Sequence, residues 1–119
     1  MQEKRISVRT DLLGVEARVS NDGENWTQIH ARDISDSGMG FTADKELAAG
    51  AQLTLEGLVS DHVKRLDLGC EMGIIFAGKT PEGKFLYGGK FLNFTKQQQT
   101  ELSIFIEMMV TKYPPLLQQ

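Results

Sequence analysis

The sequence predicts a mainly β domain, a six-stranded antiparallel β-barrel with one C-terminal α-helix. Three observations carry this expectation. Apolar and polar residues alternate with a period of two in segment after segment between Leu13 and Leu92, clusters of turn-forming residues separate those segments, and the period becomes helical after Thr95. At 119 residues the chain has the length of one domain, at roughly 100–200 residues per domain. Within a single domain 1–119 we expect a flexible basic segment over 1–11, the barrel over 12–93 and the helix over 95–112.

The first strand is read from Leu13, Val15, Ala17 and Val19 interleaved with Gly14, Glu16, Arg18 and Ser20, and the Asn21–Asn25 cluster turns the chain. The second runs from about Trp26 to Ile34, with Ile29 and Ala31 on one face and Gln28, His30 and Arg32 on the other. Asp36, Ser37 and Gly38 punctuate it before a short apolar third strand, Met39 to Thr42. Leu53, Leu55, Gly57 and Val59 alternate as the fourth strand after a break at Ala49 and Gly50. From Arg65 to Phe76 the fifth and clearest strand puts Leu66, Leu68, Cys70, Met72, Ile74 and Phe76 on one face; only Ile75 departs from the alternation. Gly69 and Gly73 on its other face suit a sheet that bends toward closure. Pro81, Glu82 and Gly83 turn the chain into the last strand, where Phe85, Tyr87, Gly89 and Phe91 alternate. In the helix, Leu102, Phe105, Ile106 and Met109 fall at i, i+3, i+4 and i+7, Thr95 and Gln98 have capping-box spacing, and Pro114 and Pro115 end it.

Composition removes several function classes. With 13 Lys+Arg against 16 Asp+Glu the net charge is −3, without the basic footprint of a DNA or RNA binder, and 8 % aromatic content is thin for a base-stacking oligonucleotide barrel. One cysteine excludes an internal disulfide framework and a Cys-rich zinc site. No signal peptide and no stretch of roughly 20 apolar residues is evident, so the expectation is a cytoplasmic protein with no membrane insertion. Catalytic parts are few. His30 falls on an outer strand face, His62 in a loop and Cys70 on an apolar face, with no metal-ligand spacing, phosphate loop or dinucleotide fingerprint. The reading is no enzyme, no catalytic residue, no metal and no cofactor.

Two segments remain. Residues 1–10 carry Lys4, Arg5 and Arg9 against Glu3, a local charge of +2 that leaves −5 on the rest of the chain. Arginine offers a planar fork that meets phosphate oxygens bidentately, although a solvated basic tail has the same composition. At the end of the second strand, Asp33 and Ser35 are two apart, so in extended chain they project to one side about 6.6 Å apart and can grip one edge of a base. The carboxylate accepts N–H donors, the hydroxyl donates or accepts, and Gly38 can turn the backbone at positive φ. Such residues also make ordinary turns.

Together, Arg5-x-x-x-Arg9 and, 24 residues on from Arg9, Asp33-x-Ser35-x-x-Gly38 resemble the signature of the PilZ domain family, bacterial receptors for the second messenger cyclic di-GMP. Lys4 matches the extra basic residue often found before the first arginine. The segment Tyr87 to Phe91 is similar to the family's Gly-x-x-Phe strand, and Met39 departs from it, since a second glycine commonly stands there and here comes at Gly40. The resemblance covers most of the chain. It implies a PilZ-type barrel that binds cyclic di-GMP: Arg5 and Arg9, assisted by Lys4, on the phosphates and the Hoogsteen edges of guanine, Asp33 and Ser35 on a guanine edge, and Gly38 shaping the floor. It further implies a sensor or adaptor that changes conformation on nucleotide binding and signals to an unidentified protein effector. The alternative is a ligand-independent PilZ-like interaction module. Core packing is the first reading of the helix stripe, and a homodimer through that helix is the lesser one.

Overall fold

The alternating segments pair edge to edge into a closed ring, the second and third sealing it. The computed structural model describes residues 7–9, 14–47, 52–60 and 63–112, with side chains over 14–47, 52–57 and 69–109. Its elements are β1 (Ser7–Arg9), β2 (Glu16–Ser20), β3 (Thr27–Ser35), β4 (Gly38–Ala43), β5 (Gln52–Ser60), β6 (Val63–Lys79), β7 (Phe85–Leu92) and α1 (Lys96–Lys112). All pairings are antiparallel, in the order β1-β3-β2-β5-β6-β7-β4, and β4 pairs back onto β3. That last pairing closes β2 to β7 into a six-stranded barrel, the architecture expected from the alternation.

The seventh strand, β1, was not foreseen. It falls inside the segment 1–11 expected to be flexible, and it pairs along the C-terminal half of β3 while β2 pairs along the N-terminal half. Three residues are too few for a period of two to register, and β1 takes the stretch of the β3 edge that β2 leaves unpaired. Lys4, Arg5, Leu13, His62 and the two terminal prolines lie outside the described residues.

Inward-facing residues of all the barrel strands meet in one core, with Val15, Val19, Ile29, Ile34, Phe41, Leu55 and Met72 at 0–1 % exposure. Burying side chains of this size contributes roughly 1.5–3 kcal/mol each. Cys70 belongs to the core, and burial, with Glu71 beside it, pushes its thiol up to about 11, so it acts as a small hydrophobe. Helix α1 packs on β6 and buries Leu102, Phe105, Ile106 and Met109, so the stripe is covered by the chain's own barrel. Its N-terminus is closed as the spacing predicts. The Gln98 N–H donates to Thr95 Oγ1 at 3.1 Å and the Thr95 N–H donates to Gln98 Oε1 at 3.0 Å.

One expected face is corrected. Ile74 pairs with Gly89 and Phe76 with Gly88, so β6 carries one extra residue, Ile75, against β7. This bulge reverses the alternation: Ile75 and Phe76 stand outside at 72 % and 54 % exposure, and Phe76 does not join the inner face of Cys70 and Met72.

The β2–β3 turn depends on one carboxylate. Asp22 accepts the backbone N–H groups of Asn25 and Glu24 at 2.8 Å each, the Asn25 amide and the Ser20 hydroxyl, which hold it well below the usual carboxylate range. A depressed carboxylate gives stability that is present in full above its unfolded value near pH 4 and is lost as pH falls through the lower folded value. Asp22→Asn is therefore expected to melt below the wild type at pH 7, with the gap narrowing between about pH 4 and pH 2. A gap unchanged at pH 2 would assign the turn's order to shape rather than charge.

Candidate functional site

Strict alternation after Ile29 and Ala31 would send Asp33 into the core. It does not go there, because Ala31 pairs with Phe41 and Asp33 with Gly40, leaving Arg32 as an extra residue in β3. The bulge puts Arg32 and Asp33 together on the outer face, returns Ile34 to the core at 0 % exposure and leaves Ser35 outside. Asp33 and Ser35 thus share a side, as their spacing predicts.

Each is held by its surroundings. Asp33 lies across Gly40, whose N–H donates to Oδ1 at 3.0 Å, and a Cβ at Gly40 would sit within 3.0–3.1 Å of both carboxylate oxygens. The glycine one place later than the resemblance leads one to expect is thus the one that makes room for the acid. Ser35 organises the turn: its Oγ donates to the Gly38 carbonyl and accepts the Ser37 N–H, each at 3.3 Å. At 3.3 Å both bonds are long.

Gly38 is in the site for a different reason from the one expected. The glycines with positive φ among the described residues are Gly14, Gly23, Gly57 and Gly83, so Gly38 performs no left-handed turn. It is buried where β4 comes close to β7: a Cβ there would collide with the carbonyl oxygen of Gly89 and lie 3.3 Å from the Lys90 Cα. The neighbouring bond from the Phe91 N–H to the Ser37 carbonyl, 2.9 Å, fixes that approach.

These residues border an open pocket of about 520 Å³ on the outer face of β3, β4, β7 and β6, lined by Asp33, Ser35, Gly38 and Gly40 together with Arg32, Lys90, Gly88, Ile75 and Phe76. Arg9 reaches the site only by register, its backbone opposite Asp33 in the β1–β3 pairing. Lys4 and Arg5 lie outside the described residues, so the two halves of the motif meet here at the level of β1 alone. Sequence reasoning missed Arg32, Lys90, Gly88, Ile75 and Phe76 as site residues. A signal existed in two of the strands, where the apolar parity breaks between Ala31 and Ile34 and again at Ile75.

No group of three or more His, Cys, Asp or Glu side chains that could hold a metal ion occurs among the described residues. Trp26, the one tryptophan, lies elsewhere, under the Arg18 guanidinium at 4.6 Å.

The sequence matches the PilZ domain over residues 3–107. No curated protein matches it at a significant level. Among solved structures, the PilZ domain of YcgR from Escherichia coli with c-di-GMP superposes with a TM-score of 0.73 at 12 % identity, over 97 % of this chain and 96 % of that one. The Bacillus subtilis inhibitor of motility, MotI/DgrA, gives a TM-score of 0.65 at 18 % identity over 95 % of this chain and 54 % of its own. The apo state of MrkH from K. pneumonia gives 0.63 at 11 % identity, over 86 % of this chain and 49 % of its own. At such identities the likeness is one of fold, and the sequence match, which runs from the basic segment through most of α1, adds the lineage: the chain belongs to the PilZ domain family, a family of non-catalytic receptor domains.

Proposed function

We propose that this protein is a cyclic di-GMP sensor and adaptor that binds the dinucleotide across the outer face of β3 and signals the change to a protein effector. What supports the reading most is a convergence of two short motifs on one place. The β1–β3 register sets Arg9 opposite Asp33, and Asp33, Ser35 and Gly38 border the same pocket. Asp33 and Ser35 offer a base edge a pair of acceptors and a donor, and Arg5 and Arg9, with Lys4, supply the cations that a phosphodiester dianion requires. The PilZ domain of E. coli YcgR, a relative in fold, is known with c-di-GMP.

The switch follows from how β1 is attached. β1 joins the sheet through three residues on the end of β3, so drawing Arg5 and Arg9 onto a ligand repositions the whole segment 1–11 and remakes the surface beside the pocket. That surface is what a protein effector would read. Since the α1 stripe is covered by the barrel, a homodimer through this helix would have to use its other side, around the half-exposed Ile104. No helix of the described residues is long and apolar enough to cross a membrane, in keeping with a cytoplasmic receptor.

Calorimetric titration with cyclic di-GMP, beside GTP and cyclic di-AMP at about 150 mM salt, where surface attraction is screened, tests the proposal. Micromolar or tighter binding confined to cyclic di-GMP is the expected result, and its stoichiometry separates one bound dinucleotide from a stacked pair. No heat and no thermal shift at high ligand concentration would overturn the sensor and leave a ligand-independent interaction module.

A further inference from the structure

Beside the pocket of Asp33 and Ser35, toward the β6–β7 turn, the barrel carries a second groove of about 650 Å³. His30 on β3, Thr42 on β4 and Leu86 on β7 pair in turn across its floor. Its rim is basic. Arg32 from the β3 bulge, Lys79 from the end of β6 and Lys84 from the turn border it, against one carboxylate, Glu82. None of these three cations forms an ion pair among the described residues, whereas His30 is turned toward Glu16 at 3.4 Å. On a chain of net charge −3, this is a local excess of the opposite sign.

The rim is held by its own backbone. The Thr80 N–H donates to the Lys84 carbonyl and the Gly83 N–H to the Thr80 carbonyl, each at 2.9 Å, and the Lys84 N–H donates to Thr80 Oγ1 at 3.1 Å. Lys79 Nζ lies over the Phe85 ring, 5.2 Å from its centre. Within the groove Thr42 is 9 % exposed, and its hydroxyl has no hydrogen-bond partner among the described residues. A buried hydroxyl without a partner is costly, and a carbonyl or carboxylate of a bound segment would supply one. The cations are spread over β3, β6 and the turn, and no aromatic ring borders the groove for a base to stack on. Carboxylates along a polypeptide fit this spread better than a nucleotide does.

We propose that this groove docks an acidic segment of the effector protein, with Arg32, Lys79 and Lys84 on its carboxylates and Thr42 on its backbone, and that cyclic di-GMP opposes the docking. The two sites share parts. Arg32 borders both openings, so a dianion beside Asp33 and a carboxylate in the groove draw on the same guanidinium. Like charges would also face each other across roughly 7 Å, the two-residue step from Gly40 with Gly88 to Thr42 with Leu86. Gly14 and Val15, where the basic segment enters the barrel, form a further wall, tied to β3 by the Ala31 N–H bond to the Val15 carbonyl at 2.9 Å. A ligand that repositions segment 1–11 therefore acts on the groove from this side as well. This regulation rests on the cyclic di-GMP reading; the groove itself does not.

The test uses the full chain and, as probe, an all-glutamate decapeptide, with a Gly-Ser decapeptide as the uncharged control. Amide NMR follows both at about 100 mM salt, where charge attraction beyond roughly 10 Å is screened. The glutamate peptide alone is expected to shift the amides of Thr42 and of Thr80 to Lys84 along one saturating curve. The Lys79→Gln/Lys84→Gln double variant is expected to bind it roughly 2- to 30-fold more weakly, the range for losing two exposed ion pairs, with cyclic di-GMP affinity and thermal midpoint unchanged. Saturating cyclic di-GMP should weaken the peptide about fivefold or more, and the peptide should weaken cyclic di-GMP by the same factor. Shifts confined to residues 1–11, or a peptide affinity that the double variant leaves unchanged, would overturn the groove. Binding to phosphatidylglycerol vesicles, lost in the double variant, with no response to the peptide would also overturn it, by assigning the cations to a lipid surface. Peptide affinity unchanged by bound cyclic di-GMP would overturn the opposition between the two sites. Failure of the chain to bind cyclic di-GMP would remove the sensor reading, and the peptide titration, which needs no nucleotide, would still decide the groove.

Discussion

Arg9→Ala is expected to weaken cyclic di-GMP binding by roughly 10- to 150-fold, the equivalent of one charge-assisted interaction of about 1.5–3 kcal/mol. Calorimetry at about 150 mM salt measures it directly. The size of the effect follows from geometry as well as charge. Arg9 is the last residue of β1, and its backbone stands opposite Asp33, the acid that lies over Gly40, in the register. An arginine there delivers a planar fork from a paired strand, whereas Lys4 is a flexible point charge, and Lys4→Ala should cost distinctly less. Unchanged affinity in Arg9→Ala would sink the assignment of the basic segment to the ligand, even if the chain binds cyclic di-GMP by other means.

The barrel strands and the helix cap were legible in the sequence because each rests on a local signal. Period-two runs such as Val15, Ala17 and Val19 need only one buried face, and Thr95 and Gln98 need only each other. Asp33 and Ser35 were legible for the same reason, since two residues apart in extended chain is one side. The rest of the site is a matter of register. Gly40, Gly88 and Phe76 carry no signal toward Asp33 until β4, β7 and β6 are aligned, and a one-residue slip in any pairing would separate them. The two bulges lie between these kinds of information. Their mark in the sequence is a break of parity, at Ala31 to Ile34 and at Ile74 to Phe76, and strict alternation passes over the first and takes the second for a single misplaced isoleucine. Bulges concentrate where a sheet must re-aim side chains, so parity breaks in otherwise regular strands are the places to look for a site.

Gly38→Ala is expected to damage fold and site together. A Cβ at this position meets backbone, the carbonyl of Gly89 and the Cα of Lys90, and no rotamer change relieves such a contact. Either β4 or β7 must move, which costs about 1–3 kcal/mol by analogy with overpacked cores. For a domain of this size that is a fall of roughly 5–15 °C in thermal midpoint. The displaced pair, Gly38 with Lys90, lies two residues along from Gly40 with Gly88 in the same ladder, and the Ser37 carbonyl that receives the Phe91 N–H is its immediate neighbour. Cyclic di-GMP affinity should therefore drop with stability, as a consequence of a shifted floor rather than a lost contact. Asparagine distinguishes this account from the conformational one. It tolerates positive φ far better than alanine does, so a glycine kept for its backbone angle would be replaced more gently by Asn than by Ala. A glycine kept for close approach gives the opposite order, because the larger side chain begins from the same forbidden Cβ. Thermal melts of Gly38→Ala and Gly38→Asn should accordingly place the asparagine variant no higher than the alanine one, and the reverse ranking would return the residue to the role of a turn.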